Sequence, residues 1–373
     1  MAEKKLNIAM FGHKHVLSRE GGVEIVVNEL ATRMVALGNN VTCFDRNTHH
    51  VSGEEIAHKS EFKGVIIKPV WTIEKKGLAA MTASLTAAWK AAWGNYDVVH
   101  IHAEGPAAMC WMPKIRGKRV IVTIHGLDWA RAKWGGFASK YIKWGEKQAV
   151  KHSDEIIVLS RGVQEYFKST YNRDTVFIPN GVNKPQIREA DLIKAMWGLE
   201  KDSYVLYLGR IVPEKGIQYL LEAWKRILTD KKLVIVGGAS DTDEFVNELK
   251  EQAGENVVFT GFQQGAILEE LYSNAYIYTL PSDLEGMPLS LLEAMSYGNC
   301  CLVSDIPECA EVVEDKAVCF AHGQVDELQK ALQRLLDSES EVARYKAGAS
   351  TFICAKYNWD DVVKMTLDLY RGK

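Results

Sequence analysis

The chain has 373 residues, which is enough for two domains of the usual size of about 100–200 residues. Its hydrophobic content of 47% and charged content of 25% are ordinary for a globular protein and exclude a disordered chain. The net charge is only −3, but residues 1–185 carry +9 and the remainder −12, so we expect the two halves to have different partners.

In the first half, short β-branched strands alternate with helices. The strand KLNIAMFG is followed by the amphipathic helix GGVEIVVNELATRMVALG, which ends at Gly38. Further helices are predicted at 136–152 and 160–170. The other strands are predicted in NNVTCFDR, YDVVHIH, KRVIVTIHG, DEIIVLS and TVFIPNG. This alternation predicts a parallel, doubly wound α/β sheet.

The same pattern starts again after residues 182–187, where glycine and proline punctuate the chain. Strands are predicted in SYVLYLGR, KKLVIVGG, NVVFTGF, AYIYTLPS and NCCLVSD, each followed by a helical segment. The last stretch, YNWDDVVKMTLDLYRGK, is an amphipathic helix. We therefore expect two doubly wound domains that bind ligands at the carboxyl ends of their strands.

Compartment and membrane character follow from composition. The sequence has no uncharged apolar run of about 18 residues. Its N-terminus shows no secretory hydrophobic core, so we expect a cytoplasmic protein without a membrane span. We interpret the seven cysteines as buried thiols in a reducing cytosol rather than as disulfides or metal ligands.

A glycine pair, Gly21 and Gly22, opens the first helix and would let the backbone approach a ligand phosphate. The surrounding pattern is neither GxGxxG nor a P-loop, so a standard dinucleotide site is poorly supported. His125 ends a strand before Gly126, a position that is as often structural as functional. The histidine pairs at 13 and 15 and at 49 and 50 have no metal spacing, and we interpret all four as surface residues.

An apolar stripe at helical spacing lies in residues 77–94 and consists of Leu78, Met81, Leu85, Trp89 and Trp93. Lys75, Lys76 and Lys90 lie beside it, and further basic clusters occur at 114–119 and 131–147. In one interpretation the stripe packs in the core and the cations form a solvated face. In the other, this half rests on an anionic membrane leaflet at the inner face of the cell membrane.

Two cations follow the strand SYVLYLG in the second half. Arg210 ends the strand, and Lys215 lies five residues on at a helix entrance, a placement that suits a diphosphate. A solvated pair around a proline turn is the alternative. The glycine pair Gly237 and Gly238 ends the next strand, where a tight turn is the alternative to ligand binding.

The stretch PSDLEGMPLSLLEAMSYG carries two glutamates eight positions apart, Glu285 and Glu293. Pro288 fits the first helical position, which places the N–H groups of Gly286, Met287 and Leu289 near an anion site. Ionised carboxylates accept hydrogen bonds from vicinal hydroxyls, so one could bind a sugar and the other a ribose. The alternative is a helix with incidental surface glutamates.

LGRIVPEKG followed by PSDLEGMPLSLLEAMSYG resembles the retaining glycosyltransferases of family four, which have the GT-B fold. GGVE and TIHG match further positions of that family, and the resemblance covers essentially the whole chain. HGLDWARAKWG and SREGGVEIVVNEL are similar to a bacterial polysaccharide subgroup that includes rhamnosyltransferases. The fold this implies has two doubly wound Rossmann-like domains facing a central cleft. Residues 1–183 would bind the acceptor and 184–356 the nucleotide sugar, while a C-terminal helix at 357–373 would pack back toward the first domain.

By position, the resemblance assigns Arg210 and Lys215 to the donor diphosphate, Glu293 to the ribose hydroxyls and Glu285 to the transferred sugar. The other assignments concern the rest of the donor. They are Gly286, Met287 and Leu289 through their N–H groups, Gly21 and Gly22 at the phosphates, His125 beside the reacting sugar, and Gly261 and Phe262 near the base. Many relatives have an acidic residue after Gly237, which this sequence lacks.

Chemistry then sets the expected function. Fixed cations and helix dipoles can stabilise a leaving diphosphate, and no Asp-x-Asp motif occurs, so we expect neither a metal nor another cofactor. The family implies retention, and without a convincing carboxylate nucleophile we expect front-face attack. We expect transfer from a UDP-hexose or TDP-rhamnose to a saccharide or lipid-linked acceptor in surface polysaccharide biosynthesis, with no nucleic-acid partner. A sugar-nucleotide epimerase of similar fold and a non-catalytic nucleotide-binding module are the alternatives.

Overall fold

The computed structural model describes residues 4–19, 21–47, 59–75, 77–130, 136–238 and 244–373. The chain divides into two compact units, unit 1 formed by Met1–Asn180 with Trp359–Lys373 and unit 2 formed by Gly181–Asn358. The predicted limits lay at 183/184 and 356/357. Each unit contains a mostly parallel sheet with helices between successive strands, which confirms the prediction of two Rossmann-like α/β domains.

Within the described ranges, unit 1 is built on eight strands: β1 (Asn7–Phe11), β2 (Asn40–Arg46), β3 (Glu61–Phe62), β4 (Val65–Val70), β5 (Val98–His102), β6 (Arg119–Ile124), β7 (Glu155–Val158) and β8 (Val176–Phe177). Their order in the sheet is β3-β4-β2-β1-β5-β6-β7-β8. All neighbours are parallel except the β3–β4 pair. The strand order reverses between β1 and β5, so their carboxyl ends flank the position where such sheets bind ligands.

The helices between these strands are α1 (Gly22–Ala36), α2 (Leu78–Trp93), α3 (Glu104–Ala107), α4 (Trp111–Ile115), α5 (Gly136–His152) and α6 (Arg161–Tyr171). The helices predicted at 136–152 and 160–170 are confirmed. Ser160 fixes the start of α6, because its side chain accepts the N–H of Val163.

Helix α2 turns its small residues inward. Its buried residues are Ala83, Ser84, Ala87, Ala88, Ala91 and Ala92. Four larger apolar residues are exposed instead, namely Leu78, Leu85, Trp89 and Trp93. The core interpretation of the stripe is therefore wrong for these four, because the alanine face lets the helix lie close to the sheet. Over the described ranges, no helix is both long and apolar enough to cross a membrane.

The described part of unit 2 has six strands: β9 (Tyr204–Leu208), β10 (Lys232–Val236), β11 (Val257–Gly261), β12 (Ile277–Leu280), β13 (Cys300–Ser304) and β14 (Val318–Phe320). All pairs are parallel, in the order β11-β10-β9-β12-β13-β14, so the order reverses between β9 and β12. The helices are α7 (Leu192–Trp197), α8 (Ile217–Trp224), α9 (Glu244–Gln252), α10 (Gly265–Ser273), α11 (Leu289–Ser296), α12 (Pro307–Val313), α13 (Val325–Leu336), α14 (Glu339–Lys346) and α15 (Ala349–Lys356).

The last helix, α16 (Trp359–Tyr370), belongs to unit 1. It buries Trp359, Val362, Val363, Leu367 and Tyr370. Arg119 donates from Nε to the carbonyl of Leu369 at 2.8 Å, which joins the helix to the start of β6.

Cysteine burial follows the strand pattern. Five of the seven cysteines are buried as predicted, and Cys354 is half-buried. The prediction is wrong for Cys319, which is exposed because it is the middle residue of β14 and its neighbours Val318 and Phe320 point to the buried face.

Candidate functional site

The candidate site of unit 2 lies in the loops that follow β9 and β12. These strands are hydrogen-bonded neighbours at the reversal of strand order. Arg210 comes directly after β9 and Gly209, while Pro281 and Ser282 come directly after β12. The topology therefore brings the loops of the two main sequence motifs to the same edge of one sheet.

A glycine sets the close approach of these two loops. Pro213–Lys215 form a single 3-10 turn, and Gly216 follows it with φ +69°, in the left-handed region. A Cβ atom on Gly216 would lie 1.9 Å from the carbonyl oxygen of Pro281. The N–H of Asp283 also donates to the carbonyl of Glu214 at 3.0 Å. The two loops are thus held together through their backbones.

Lys215 and Glu285 form an ion pair between Nζ and Oε1. Their side chains are only 13% and 7% exposed, so the attraction is screened less than it would be at the surface. Ser282 Oγ donates to the same Glu285 oxygen at 2.7 Å. The sequence predicted both charged residues but neither their pairing nor the role of Ser282. A hydroxyl three positions before a glutamate in a turn is the signal that could have found it.

Arg210 is half-buried at the end of β9, and its carbonyl accepts the Tyr207 hydroxyl at 3.1 Å. Among the residues that the structure describes, the Arg210 guanidinium has no hydrogen bond or ion pair. Its planar set of N–H donors is therefore open to an oxyanion such as a phosphate.

Glu293 lies in α11, beyond its first turn. Tyr272 donates its hydroxyl to Glu293 Oε2 at 3.2 Å, and the Tyr272 ring stacks on Tyr297 with centroids 5.2 Å apart. The two glutamates of the motif thus have different partners, a lysine and a serine for Glu285 and a tyrosine for Glu293. The sequence analysis missed Tyr272, which is distant in sequence.

The start of α11 differs by one position from the prediction. Pro288 has ψ 99°, which is extended, so it is the N-cap and Leu289 is the first helical residue. Gly286, Met287 and Leu289 are buried around this helix start. The first N–H groups of any helix lack partners within it, so this end can accept an anion.

The loops after β10 and β11 join the same edge of the sheet. Ile211 N–H donates to the Gly238 carbonyl at 3.1 Å, and Gly237 N–H donates to the Gly261 carbonyl at 3.0 Å. A Cβ atom on Gly237 would lie 1.8 Å from the carbonyl oxygen of Gly209, so close backbone packing explains this glycine. Phe262 follows with a partly exposed ring, 38% accessible, beside these loops.

In unit 1, Gly21 is the N-cap of α1 and Gly22 its first residue. A Cβ atom on Gly21 would lie 2.7 Å from Oε2 of Glu24. Glu24 is buried, and its Oε1 accepts the N–H of Lys14 at 2.8 Å. The Glu24 side chain thus packs against Gly21 while its other oxygen is held by Lys14.

Three histidines form a chain at the reversal of strand order in unit 1. His125 Nε2 lies 3.1 Å from His102 Nδ1, and the His102 and His100 rings have centroids 4.1 Å apart. His100 is bonded through Nδ1 to the Tyr370 hydroxyl at 2.6 Å and through Nε2 to Thr123 Oγ1 at 2.7 Å. Of these three histidines, only His125 was predicted as a site residue from the sequence. The structure adds His102, which can fix the ring orientation of His125.

Burial determines the charge of His100 and His102. It lowers the pKa of His100 to about 3, helped by the neighbouring His125. It also lowers the pKa of His102 well below its usual value, with smaller effects of His100, His125 and His13. Both rings are therefore neutral near pH 7.

The interpretation of His13 and His15 as surface residues is wrong. Both are buried, at 1% and 2% exposure. His13 Nε2 pairs with Asp45 Oδ1 at 2.8 Å, a partner at the end of β2 that sequence spacing cannot reveal. His49 and His50 lie outside the described residues. Across the described ranges, no three His, Cys, Asp or Glu side chains are grouped so that they could hold a metal ion.

A buried carboxyl pair lies close to the segment after His125. Glu104 Oε2 accepts the N–H of Asp128 at 2.9 Å. Burial, the charge of Asp128 and the neighbouring Glu146 raise the pKa of Glu104 to about 10. Glu146 accepts from Trp129 Nε1 at 3.1 Å and from the Tyr166 hydroxyl at 2.9 Å. The sequence analysis missed both glutamates, which hold the loop after β6 in place.

We expect the burial of His100 as a neutral ring to make the protein less stable as the pH falls below the ordinary histidine pKa of about 6.5. The folded pKa of His100 is about 3, so between these values the unfolded chain binds more protons and acid favours unfolding. Urea unfolding measured at several pH values tests this. His100→Asn should weaken the pH dependence, while the matched change of an exposed histidine, His322→Asn, should not. Identical pH dependence in all three proteins would contradict the account.

Two family models match the chain, one on each half. The model described as Glycosyltransferase Family 4 matches residues 20–184, and the model described as Glycosyl transferases group 1 matches residues 190–352. Together they cover most of both units. Each half of the chain thus matches a glycosyltransferase family model, and the two α/β units have the GT-B fold.

Individual relatives are also glycosyltransferases. The uncharacterized glycosyltransferase MJ1607 of Methanocaldococcus jannaschii is 28% identical over 74% of this chain and 75% of its own length. The Escherichia coli UDP-Gal:alpha-D-GlcNAc-diphosphoundecaprenol alpha-1,3-galactosyltransferase is 29% identical over 66% of this chain and 67% of its own. Among solved structures, sucrose-phosphate synthase from Thermosynechococcus elongatus superposes with a TM-score of 0.83 at 22% identity, covering 99% of each chain. That likeness supports the fold.

Proposed function

We propose that this glycosyltransferase is retaining and metal-independent, and that it moves a sugar from a nucleoside-diphosphate donor to a saccharide or lipid-linked saccharide. We also propose that it acts in the cytoplasm and contributes to cell-surface polysaccharide biosynthesis. The observation that carries the proposal is the sheltered Lys215–Glu285 ion pair at the strand-order reversal of unit 2. The pair holds a fixed cation next to a carboxylate that can accept hydrogen bonds from a sugar, at the carboxyl edge of the sheet.

The diphosphate is assigned to the two cations. Lys215 is held by Glu285, and Arg210 lies five residues earlier on the same loop, where no described residue pairs with its guanidinium. The N–H groups around the start of α11, from Gly286 through Met287 to Leu289, add partial positive charge. As the sugar–phosphate bond breaks, negative charge grows on the leaving diphosphate, and these groups stabilise it without reorganising.

The hydroxyl-bearing parts of the donor are assigned to the carboxylates. Glu285 accepts from hydroxyls of the transferred sugar and Glu293 from those of the ribose. Phe262, next to Gly261, offers a partly exposed ring against which a base could stack. In unit 1, Gly21 and Gly22 are assigned to the donor phosphates and His125 to the reacting sugar by family resemblance.

Retention is assigned to front-face attack. The acceptor hydroxyl oxygen forms the new bond to the anomeric carbon on the side from which the diphosphate leaves, and its proton passes to a departing phosphate oxygen. Glu285 is already engaged by Lys215 and Ser282, which favours a binding role over that of a nucleophile. The cations take the place of a metal ion at the diphosphate.

One relative bears on the donor class. The name of the E. coli galactosyltransferase combines UDP-Gal with a diphosphoundecaprenol-linked sugar. This supports a UDP-hexose and a lipid-linked acceptor here. TDP-rhamnose is the competing donor, on the sequence similarity of HGLDWARAKWG to the rhamnosyltransferase subgroup.

A thermal-shift panel of nucleotide sugars tests the proposal. A true donor at about 100 times its Kd should stabilise the protein by about 2.7 kcal/mol, and its free sugar should not. The panel includes UDP-glucose, UDP-galactose, TDP-rhamnose and an NAD control. Stabilisation by NAD alone, or by no nucleotide sugar, would reject the proposal. The epimerase alternative predicts a changed nucleotide sugar without any acceptor, which product analysis of the same mixtures detects.

We expect Glu293→Ala to act mainly on donor KM and Glu285→Ala mainly on kcat. A ribose contact is equally strong in the ground and transition states, whereas a contact to the reacting sugar can strengthen as the bond breaks. Tyr272→Phe removes the hydroxyl that orients Glu293 and should raise KM in the same direction by a smaller factor. The reverse pattern in steady-state kinetics would mean that the two glutamates have exchanged roles.

A further inference from the structure

The outer side of α2 is an exposed apolar surface. Leu78 and Leu85 are each 43% exposed, Trp89 is 55% exposed and Trp93 is 54% exposed. We call these four residues the α2 face. Their spacing of seven, four and four residues places them on one side of the helix. The Trp89 and Trp93 rings stack with centroids 5.7 Å apart, so the face is contiguous rather than scattered.

Several cations lie beside the α2 face. The helix itself contains no acidic residue. The Arg116 guanidinium lies over the Trp93 ring at 5.4 Å, and Lys90 lies in the last turn of the helix. Lys75 is exposed just before the helix, next to the exposed acid Glu74. Lys76 lies outside the described residues.

Helix α5, in the same helical layer, repeats this combination. Both α2 and α5 pack against α3 and α4. On α5, Phe137 and Trp144 are exposed, and so are its lysines Lys140, Lys147 and Lys151. Its acid, Glu146, is buried. The outer sides of both helices therefore combine exposed aromatic residues with cations and no exposed acid. Of the basic cluster predicted at 131–147, Arg131 and Trp134 lie outside the described residues.

We propose that unit 1 docks on the surface of an anionic lipid bilayer through the α2 face, Arg116 and the cations of α5, without crossing it. Tryptophan has an apolar body and a polar N–H that suit the boundary between lipid tails and headgroups. Lysine and arginine are attracted to anionic headgroups. Pairing of this surface with a second copy of the chain is disfavoured, because it would bring like charges together. The proposal does not depend on the donor or the acceptor.

Vesicle flotation of the full chain tests the proposal. The protein is mixed at low salt with vesicles of phosphatidylcholine alone or of phosphatidylcholine with phosphatidylglycerol. We expect binding only to the anionic vesicles and its release at about 1 M salt, where the Debye length is about 3 Å. No binding at low salt, or equal binding to both vesicle types, would overturn the proposal.

Two matched pairs of variants locate the surface. Trp89→Ser with Trp93→Ser should weaken vesicle binding by at least about tenfold, since each buried aromatic side chain contributes strongly. Leu37→Ser, at the end of α1 and 65% exposed, is the apolar control and should not change it. Lys140→Gln with Lys147→Gln should weaken binding by about fivefold per residue. Lys225→Gln in unit 2 is the charge control.

Two further measurements distinguish membrane docking from misfolding and from self-association. Circular dichroism confirms that each variant is folded, and the lysine pair keeps the test valid if the tryptophan pair is not. Light scattering measures the mass of the free protein. A dimer that dissociates in the tryptophan variant, without vesicle binding by the parent, would overturn the proposal in favour of self-association. Equal losses in the variants and their controls would also overturn it.

Discussion

Lys215→Ala is expected to lower kcat/KM by at least about 10²-fold, and Arg210→Ala by a similar factor. Each change removes a fixed positive charge from the place where the leaving diphosphate gains negative charge. Lys215→Ala has a second consequence, because it leaves the nearly buried Glu285 carboxylate without its cation. Arg210 makes no such pair with a described residue, so its variant reports the loss of the donor contact alone. The measurement is donor turnover at varied donor concentration.

Lys225→Ala is the matched control for this prediction. Lys225 follows α8 closely in sequence, is half-exposed and pairs only loosely with Glu222 at 3.6 Å. We expect near-normal kcat/KM for it. The double variant Lys215→Ala with Glu285→Ala should lose less than the sum of the single free-energy losses, because the two residues form one unit. Near-normal turnover of both Lys215→Ala and Arg210→Ala would reject the diphosphate assignment.

Gly216→Ala is expected to destabilise unit 2 by about 3 kcal/mol or more, since left-handed strain and a steric clash add together. The residue has φ +69°, and a Cβ atom would lie 1.9 Å from the Pro281 carbonyl oxygen. The backbone atom cannot move without separating the Lys215 and Glu285 loops, so turnover should also fall. Urea unfolding of the full chain measures the first effect and donor turnover the second.

Gly265→Ala measures the cost of left-handed backbone strain without the steric clash that Gly216→Ala adds. Gly265 also has a left-handed φ of +60°, but a Cβ atom there would meet nothing within 4 Å. It should cost only about 1–2 kcal/mol and leave turnover unchanged. Equal destabilisation by the two changes would mean that the contact with Pro281 does not determine the position of the Gly216 loop.

Strand and helix alternation was predictable because buried parallel strands are short, β-branched runs between amphipathic helices. The α5 limits at 136–152 match the prediction for this reason. The β3–β4 hairpin was not predicted, because β3 has only two residues, Glu61 and Phe62, and is too short to show an alternating pattern. The sequence pattern also could not predict which side of α2 faces the sheet, because both its alanine side and its tryptophan side are apolar.

Positions of the candidate site residues were predictable, but their partners were not. Arg210, Lys215 and Glu285 follow strand ends, which a linear pattern reveals. Lys215 and Glu285 are 70 residues apart, so their pairing depends on β9 and β12 being neighbours in the sheet. His13 was misjudged for the same reason, because its partner Asp45 lies at the end of another strand.

The most direct test of the central claim is the fate of an isotopically labelled sugar. The donor selected by the thermal-shift panel is incubated with the protein and with candidate lipid-linked or oligosaccharide acceptors. The anomeric configuration of the product is then read by nuclear magnetic resonance. We expect acceptor-dependent transfer of the label, with the anomeric configuration of the donor kept and with transfer lost in Lys215→Ala. An inverted product would contradict retention, and a changed free or nucleotide-bound sugar formed without acceptor would contradict the transferase assignment itself.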